Sequence, residues 1–339
     1  MLRLHLTPED FGQIRFACSP LWEAVLSFLV LQDPSSRTLQ LPWVAATRPA
    51  LRGVDLAPLD ALLGPDASHF PDFLTPPPTS PLPEFAMELE RLRATPAAIV
   101  RDEVLSLARR FASPPANLHC FLDEPERALA RVVDSLARYW DCALATHWTQ
   151  IRQLLEADIL GHAQRLAFSG PEALFADLHP AVRYREGIVE VGQRPQLREM
   201  ALDGRGLLLV PVTFAWPNVY VIVEPPWPPA LLYSPRGVAN LWSSAPSAPD
   251  ALRHLVGDGR ARVLSTLVIP RTTTELARQL GLTAGAVSQH LARLQRAGVV
   301  APRRSGRRVY YGLTARGGSL LDQFDLPDES TLASALPHT

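Results

Sequence analysis

Apolar positions along this chain follow two different periods. Residues 2–6 (LRLHL) alternate as a short strand does, and Thr7 followed by Pro8 opens a helix. Pro20–Leu31 (PLWEAVLSFLVL) is an apolar helix with proline in its first turn. Six prolines fall within 71–83, which excludes regular structure there. From Pro83 to Arg110 the three-to-four spacing returns, interrupted near Pro96. In Pro125–Gly170 it is sustained by Leu129, Val132, Val133, Leu136 and Trp140, predicting one or two long amphipathic helices. The period then shortens. Val182–Gly192 predicts a hairpin turning at Glu186-Gly187. Leu207–Phe214 and Val219–Glu224, joined by AWPN, predict a second. Seven prolines in 225–249 mark a boundary.

Beyond that boundary each local signal agrees with the next. Asp258–Ile269 is a helix with Val263, Leu264, Leu267 and Val268 on one side, stopped by Pro270. Thr272 and Glu275 form a T-x-x-E capping box, so a helix starts at once. It buries Leu276, Ala277 and Leu280 and ends at Gly281. Leu282 plugs the core and Thr283 caps the next helix. That helix buries Val287, Leu291 and Leu294 and ends at Gly298. The opposite face carries Ala284, Gly285, Ser288, Gln289 and Arg293. Val299–Arg304 and Arg307–Leu313 then pair around Ser305-Gly306, with Val309, Tyr311 and Leu313 inward and Arg303, Arg304, Arg307 and Arg308 at the tip.

Charge sharpens this division. The chain of 339 residues has 33 arginines, no lysine and a net charge of −1. Residues 250–325 hold 12 Arg against 5 acids, or +7, which leaves −8 for the rest. A small basic domain on an acidic body points to a polyanion partner. Three scattered cysteines, Cys18, Cys120 and Cys142, argue for a reducing compartment and against a disulfide framework. The N-terminus lacks a signal core, and the longest apolar run, Gly206–Val223, is broken by Pro211 and Pro217; no membrane span and a cytoplasmic location are expected. Cys142 and His147 lie five apart, off a shared helix face, so no metal site and no cofactor is expected. No Gly-rich phosphate loop, G-x-S-x-G, HExxH or convincing carboxylate pair appears, so the chain is not expected to be an enzyme. The aromatic residues Trp22, Phe28, Trp140, Trp148, Trp216, Trp227 and Trp242 fit either a core or the walls of a pocket.

The C-terminal segment resembles ArsR-type winged-helix transcriptional regulators. The likeness is carried by Thr274-Glu275-Leu276-Ala277, Val287-Ser288-Gln289-His290-Leu291, Leu294, Ala297-Gly298 and the stretch from Arg304 to Tyr311. The helical body before it is similar to the uncharacterised N-terminal domain of some long actinobacterial ArsR-like regulators. The resemblance implies a homodimer on a near-palindromic double-stranded DNA site. Metal-sensing members carry a cysteine pair on the helix that here reads ELARQLGL, or Asp/His ligands on a last helix. Residues 274–282 hold no Cys or His, and 320–339 only His338, so metal sensing is not implied.

The expected fold class is α+β and mostly helical. A helical regulatory or dimerisation domain with a small antiparallel β-sheet (1–224) is followed by a Pro-rich linker (225–249), a winged helix-turn-helix (250–325) and a flexible tail (326–339). The expected function is a DNA-binding transcription regulator, read as a repressor, under a small-molecule effector or partner that is not a metal. Candidate DNA contacts are Thr272, Thr283, Ala284, Gly285, Ser288, Gln289, His290, Arg293, Arg303, Arg304, Arg307, Arg308 and Tyr310. Gln289 suits adenine edges, and the arginines suit phosphate. His290 and Tyr310 read equally well as packing or surface residues. The alternative is a ligand-binding or enzymatic body that uses the winged helix only for dimerisation or protein interaction.

Overall fold

The computed structural model describes residues 1–35, 37–64, 70–111, 115–192, 197–242, 250–305 and 308–325. Arg307 and Gly306 of the wing tip, residues 243–249 of the Pro-rich segment and the tail 326–339 lie outside these. The chain forms two compact units, Met1–Val238 and Ala239–Thr339.

The first unit runs β1 (Leu2–His5), α1 (Pro8–Gly12), β2 (Arg15–Phe16), α2 (Pro20–Gln32), α3 (Leu41–Thr47), α4 (Ala57–Leu62), α5 (Phe85–Arg93), α6 (Ala97–Ala108), α7 (His119–Asp123), α8 (Pro125–Ala143) and α9 (Trp148–Leu178). It continues through β3 (Val182–Arg185), β4 (Ile188–Val191), β5 (Arg198–Ala201), β6 (Leu208–Pro211), β7 (Tyr220–Ile222) and β8 (Ala230–Tyr233). α1 begins at the Thr7 capping box, whose N3 partner is Asp10. α9 departs from helical geometry at Gly170, just before Pro171, which has no N–H to continue the ladder. Trp22, Phe28 and Trp140 are buried, so these aromatics serve the core.

Two four-stranded mixed sheets stand in this unit, of order β3-β4-β1-β5 and β2-β6-β8-β7. The hairpin at Glu186-Gly187 forms as expected, with both residues at positive φ (49° and 84°), as a two-residue turn of that hand requires. The second expected hairpin does not form. β6 and β7 are not neighbours; β8 lies between them, parallel to β6 and antiparallel to β7. β8 falls inside the segment expected to be linker, so 225–249 is not a linker throughout. All four residues of β8 are buried, which removes the alternation that marks a half-exposed strand. The sheets share one core, to which α9 adds Leu174, Phe175 and Leu178.

Two buried carboxyl groups fasten the helices. Glu88 of α5 accepts from Ser19 Oγ and Leu21 N, each at 2.9 Å, and so caps α2 from outside. Burial pushes its carboxyl up to about 7. Glu23 of α2 accepts from Thr213 N at 2.7 Å, beyond the end of β6, and its burial pushes it up to about 8.

The second unit comprises α10 (Asp250–Val256), α11 (Asp258–Thr266), α12 (Thr273–Leu280), α13 (Ala284–Arg296), β9 (Val300–Ser305), β10 (Arg308–Leu313) and α14 (Ala315–Asp325). α10 and α14 were not expected as elements, and α11 ends at Thr266 rather than Ile269. One apolar cluster holds the unit together: Leu252, Leu264, Leu276, Val287, Leu291 and Leu321 are buried in it. Truncating one such leucine to alanine costs about 2–5 kcal/mol.

Candidate nucleic-acid interface

The interface is built from the caps outward. Thr272 Oγ1 accepts from Glu275 N at 3.3 Å, and Glu275 Oε2 accepts from Thr272 N at 2.8 Å, which closes the predicted capping box. Gly281 takes the left-handed conformation (φ 64°) that ends α12. Leu282 packs against the apolar cluster, and Thr283 Oγ1 accepts from Ala286 N at 3.2 Å to start α13. Arg262 of α11 donates to Leu280 O at 2.9 Å, which ties α11 to the C-terminal end of α12. The turn between α12 and α13 is therefore held on both sides.

α13 buries Val287, Leu291 and Leu294 and leaves Ala284, Gly285, Ser288, Gln289, Ala292, Arg293 and Arg296 exposed. Thr283, Ala284, Gly285, Ser288, Gln289 and Arg293 thus lie together at the surface as the sequence predicts. Ala284 and Gly285 have no bulk to hold a backbone away. Arg296 was not among the candidates. It extends the Gln289–Arg293 stripe at i, i+4, i+7, and that spacing was the available signal.

His290 faces elsewhere. A Cβ built on Gly259 of α11 would come 2.7 Å from its Nε2, so the ring packs on α11 through the space that glycine leaves. Burial, then Arg260 and Arg293, hold its pKa below the usual value. Thr272 is also occupied, its hydroxyl being the α12 cap.

β9 and β10 pair antiparallel with Ser305 opposite Arg308, Arg304 opposite Val309 and Arg303 opposite Tyr310. The connection is therefore 306–307, one residue beyond the expected Ser305-Gly306. Directly opposed residues share a face, and alternate residues do too. Arg303, Arg308 and Tyr310 consequently lie on one face of the ribbon. Arg304 and Val309 lie on the face that continues into Tyr311 and Leu313. Those two pack against the apolar cluster, but Val309 is 42% exposed, so the expected inward placement fails at the tip. The apolar cluster reaches Tyr311 and Leu313 but does not include Val309.

The base of the ribbon is fixed three ways. Arg271 and Tyr311 exchange backbone bonds of 3.0 and 2.8 Å, which adds a one-residue third strand. Thr314 Oγ1 donates to Gly298 O at 2.6 Å and accepts from Gly317 N at 3.1 Å. Gly317 lies so close to the chain that a Cβ would fall 2.0 Å from Val299 O.

The electrostatics favour an anion. Arg293, Arg296, Arg303, Arg304 and Arg308 are exposed, and none has an ion-pair partner among the described residues. A capped helix end with small residues, a polar pair at its first turns and a ribbon of unneutralised guanidinium groups can hold a phosphate backbone while presenting side chains to base edges. Among the described residues no group of three or more His, Cys, Asp or Glu could hold a metal ion. Cys120 and Cys142 are exposed, while burial raises the Cys18 thiol to about 12.

Comparison with known families agrees with this geometry. Residues 259–301, from α11 to the start of β9, match the family described as bacterial regulatory protein, arsR family. Residues 93–238 match a family of unknown function (DUF5937). No curated protein and no solved structure matches the chain.

Proposed function

We propose that this chain, an arsR-type regulator in which the DNA-binding helix-turn-helix follows a domain of a family of unknown function, acts as a homodimeric repressor on a near-palindromic operator. The observation that carries the reading is an exposed α13 face of small and polar residues, followed in the same unit by wing arginines that lack an ion-pair partner among the described residues. Ser288 and Gln289 read base edges, with Gln289 on adenine. Thr283, Ala284 and Gly285 let the backbone approach a phosphate, and Arg293 holds the flanking strand. Arg303, Arg304, Arg307 and Arg308 contact phosphates or the minor groove, with Tyr310 beside them. His290 supports α13 from behind.

The first unit carries the control. Metal sensors of this type carry their cysteine pair on the helix that here is α12, and residues 274–282 hold none, so we read the effector as something other than a metal. We read the chain as a regulator rather than an enzyme. Among the described residues no helix is long and apolar enough to cross a membrane, which fits action on DNA in the cytoplasm. An effector changes DNA affinity only by binding the DNA-competent and DNA-free states unequally.

Selection from a random duplex library by the full-length protein tests this reading. The expected product is a two-fold-symmetric site with half-sites about one helical turn apart. Failure to enrich any sequence would leave the winged helix as a protein-interaction module.

A further inference from the structure

A cleft of about 1110 Å³ opens in the first unit along β7. Its lining includes Val219, Tyr220, Val221, Ile222 and Val223, five consecutive residues. Successive strand residues point to opposite faces. Val219, Val221 and Val223 belong to or pack against the core shared by the two sheets, whereas the Tyr220 ring meets Phe70, 6.0 Å away, on the other side. A cleft that touches both sets must reach around the edge of the strand. β7 is indeed the last strand of its sheet.

The hydrogen-bond pattern shows what that edge offers. Leu208 N donates to Pro229 O and Val212 N to Tyr233 O. Residues 229, 231 and 233 therefore turn their backbone groups toward β6, and Ala230 and Leu232 turn theirs toward β7. Their partners are Ile222 and Tyr220, which leaves Val221, opposite Leu231, with its N–H and C=O directed away from β8. Among the described residues these two groups have no partner. Unpaired strand edges at a free surface invite association; here the edge lies in a cleft lined by apolar Leu2, Val191 and Phe70 and by charged Arg37, Asp72 and Glu103. Arg198 of β5, the edge strand of the other sheet, pairs with Glu224 just beyond β7, and both line the cleft.

We propose that this cleft is an effector site that takes a short extended peptide, added as a further strand to β7. The inference rests on the regulator reading only in calling the ligand an effector. The peptide backbone exchanges hydrogen bonds with Val221; side chains on the Val221 face meet the apolar core side, and the alternate ones meet the face of Tyr220 and Phe70. The five lining residues 219–223 span at most about 17 Å, room for a segment of four to six residues. A compact molecule would meet one face and leave the Val221 groups unmet.

A displayed hexapeptide library panned on the full-length protein tests the site. Enriched peptides are then synthesised and titrated calorimetrically, each also as a series N-methylated one amide at a time. Sequences with apolar residues at i and i+2 are expected, with one N-methyl position losing about tenfold in affinity, as for one lost hydrogen bond. Val221→Pro removes the edge N–H, the other hydrogen bond of the exchanged pair, without touching the β8 ladder and should lose a comparable factor; Val221→Ala keeps the backbone groups and should lose less. No enrichment, or peptides indifferent to every N-methyl group, overturns the proposal even where Val221→Pro fails to fold. Operator binding is scored separately on the same preparations. Peptide capture that fails while operator binding persists refutes this site alone, and the reverse refutes only the regulator reading.

Discussion

Replacing Arg303 and Arg308 together by alanine should remove two phosphate contacts without harming the fold. Both side chains are exposed, lie on the same face of the β9–β10 ribbon and lack an ion-pair partner among the described residues, so no ion pair is lost with them. Each neutralised phosphate contributes about 0.9 to the slope of log affinity against log salt, so losing two contacts from each protomer of the dimer should flatten the slope by about 3.6. Between about 50 and 200 mM salt, a fourfold change, the wild-type affinity should then fall about 150 times further than that of the variant. Fluorescence anisotropy with a labelled duplex, repeated across that range, gives both slopes. The loss at low salt should be alike on cognate and random duplexes, because phosphate contacts carry no sequence information. Val309→Ser, on the other face of the tip, should leave the slope unchanged. Equal slopes for wild type and double variant, with the variant folded, would refute the assignment of the wing to the DNA backbone.

Other outcomes follow from the same geometry. Gln289→Ala should lower the ratio of cognate to random affinity by about tenfold, as for one base pair misread, and leave random-duplex binding nearly unchanged; equal losses on both would remove Gln289 from base readout. Thr272→Ala should cost the second unit about 1 kcal/mol in denaturant unfolding, the usual loss of a cap. Gly317→Ala should lower the melting temperature of that unit and weaken DNA binding together, because a Cβ there would lie 2.0 Å from Val299 O and must shift the base of the wing. Glu23 should make the first unit pH-sensitive. Its folded pKa, about 8, lies above its unfolded value of 4.5, so its protonated form contributes stability that is full below pH 4.5 and lost as pH rises through 8. Melting temperature should therefore fall between those limits, and Glu23→Gln should flatten the profile.

The second unit was legible because its information is local. Thr272 with Glu275, Gly281 and Thr283 each act within a few residues, and Val287, Leu291 and Leu294 state their helix face by spacing alone. Where a feature depended on distant neighbours the reading weakened. Val309 alternates with Tyr311, but whether it is covered depends on how far the core extends beneath the wing. His290 of α13 read as well for a DNA contact as for a packing residue, and only the missing side chain at Gly259, 31 positions earlier, shows what it packs on. In the first unit the Glu186-Gly187 hairpin was readable from its turn. β8 was not, since ALLY is short, buried throughout and set between prolines. Without β8 the two runs flanking AWPN had no visible partner but each other. Parallel pairing of β6 with β8 spans sequence that carries no pairing signal of its own.

Hydroxyl-radical footprinting of the full-length protein on the duplex enriched from a random library tests the central claim most directly. Two protected patches should appear on one face of the DNA, about one helical turn apart, each with a flanking stretch that disappears in the Arg303→Ala, Arg308→Ala variant. Uniform or absent protection on that duplex would contradict sequence-specific binding through α13 and the wing.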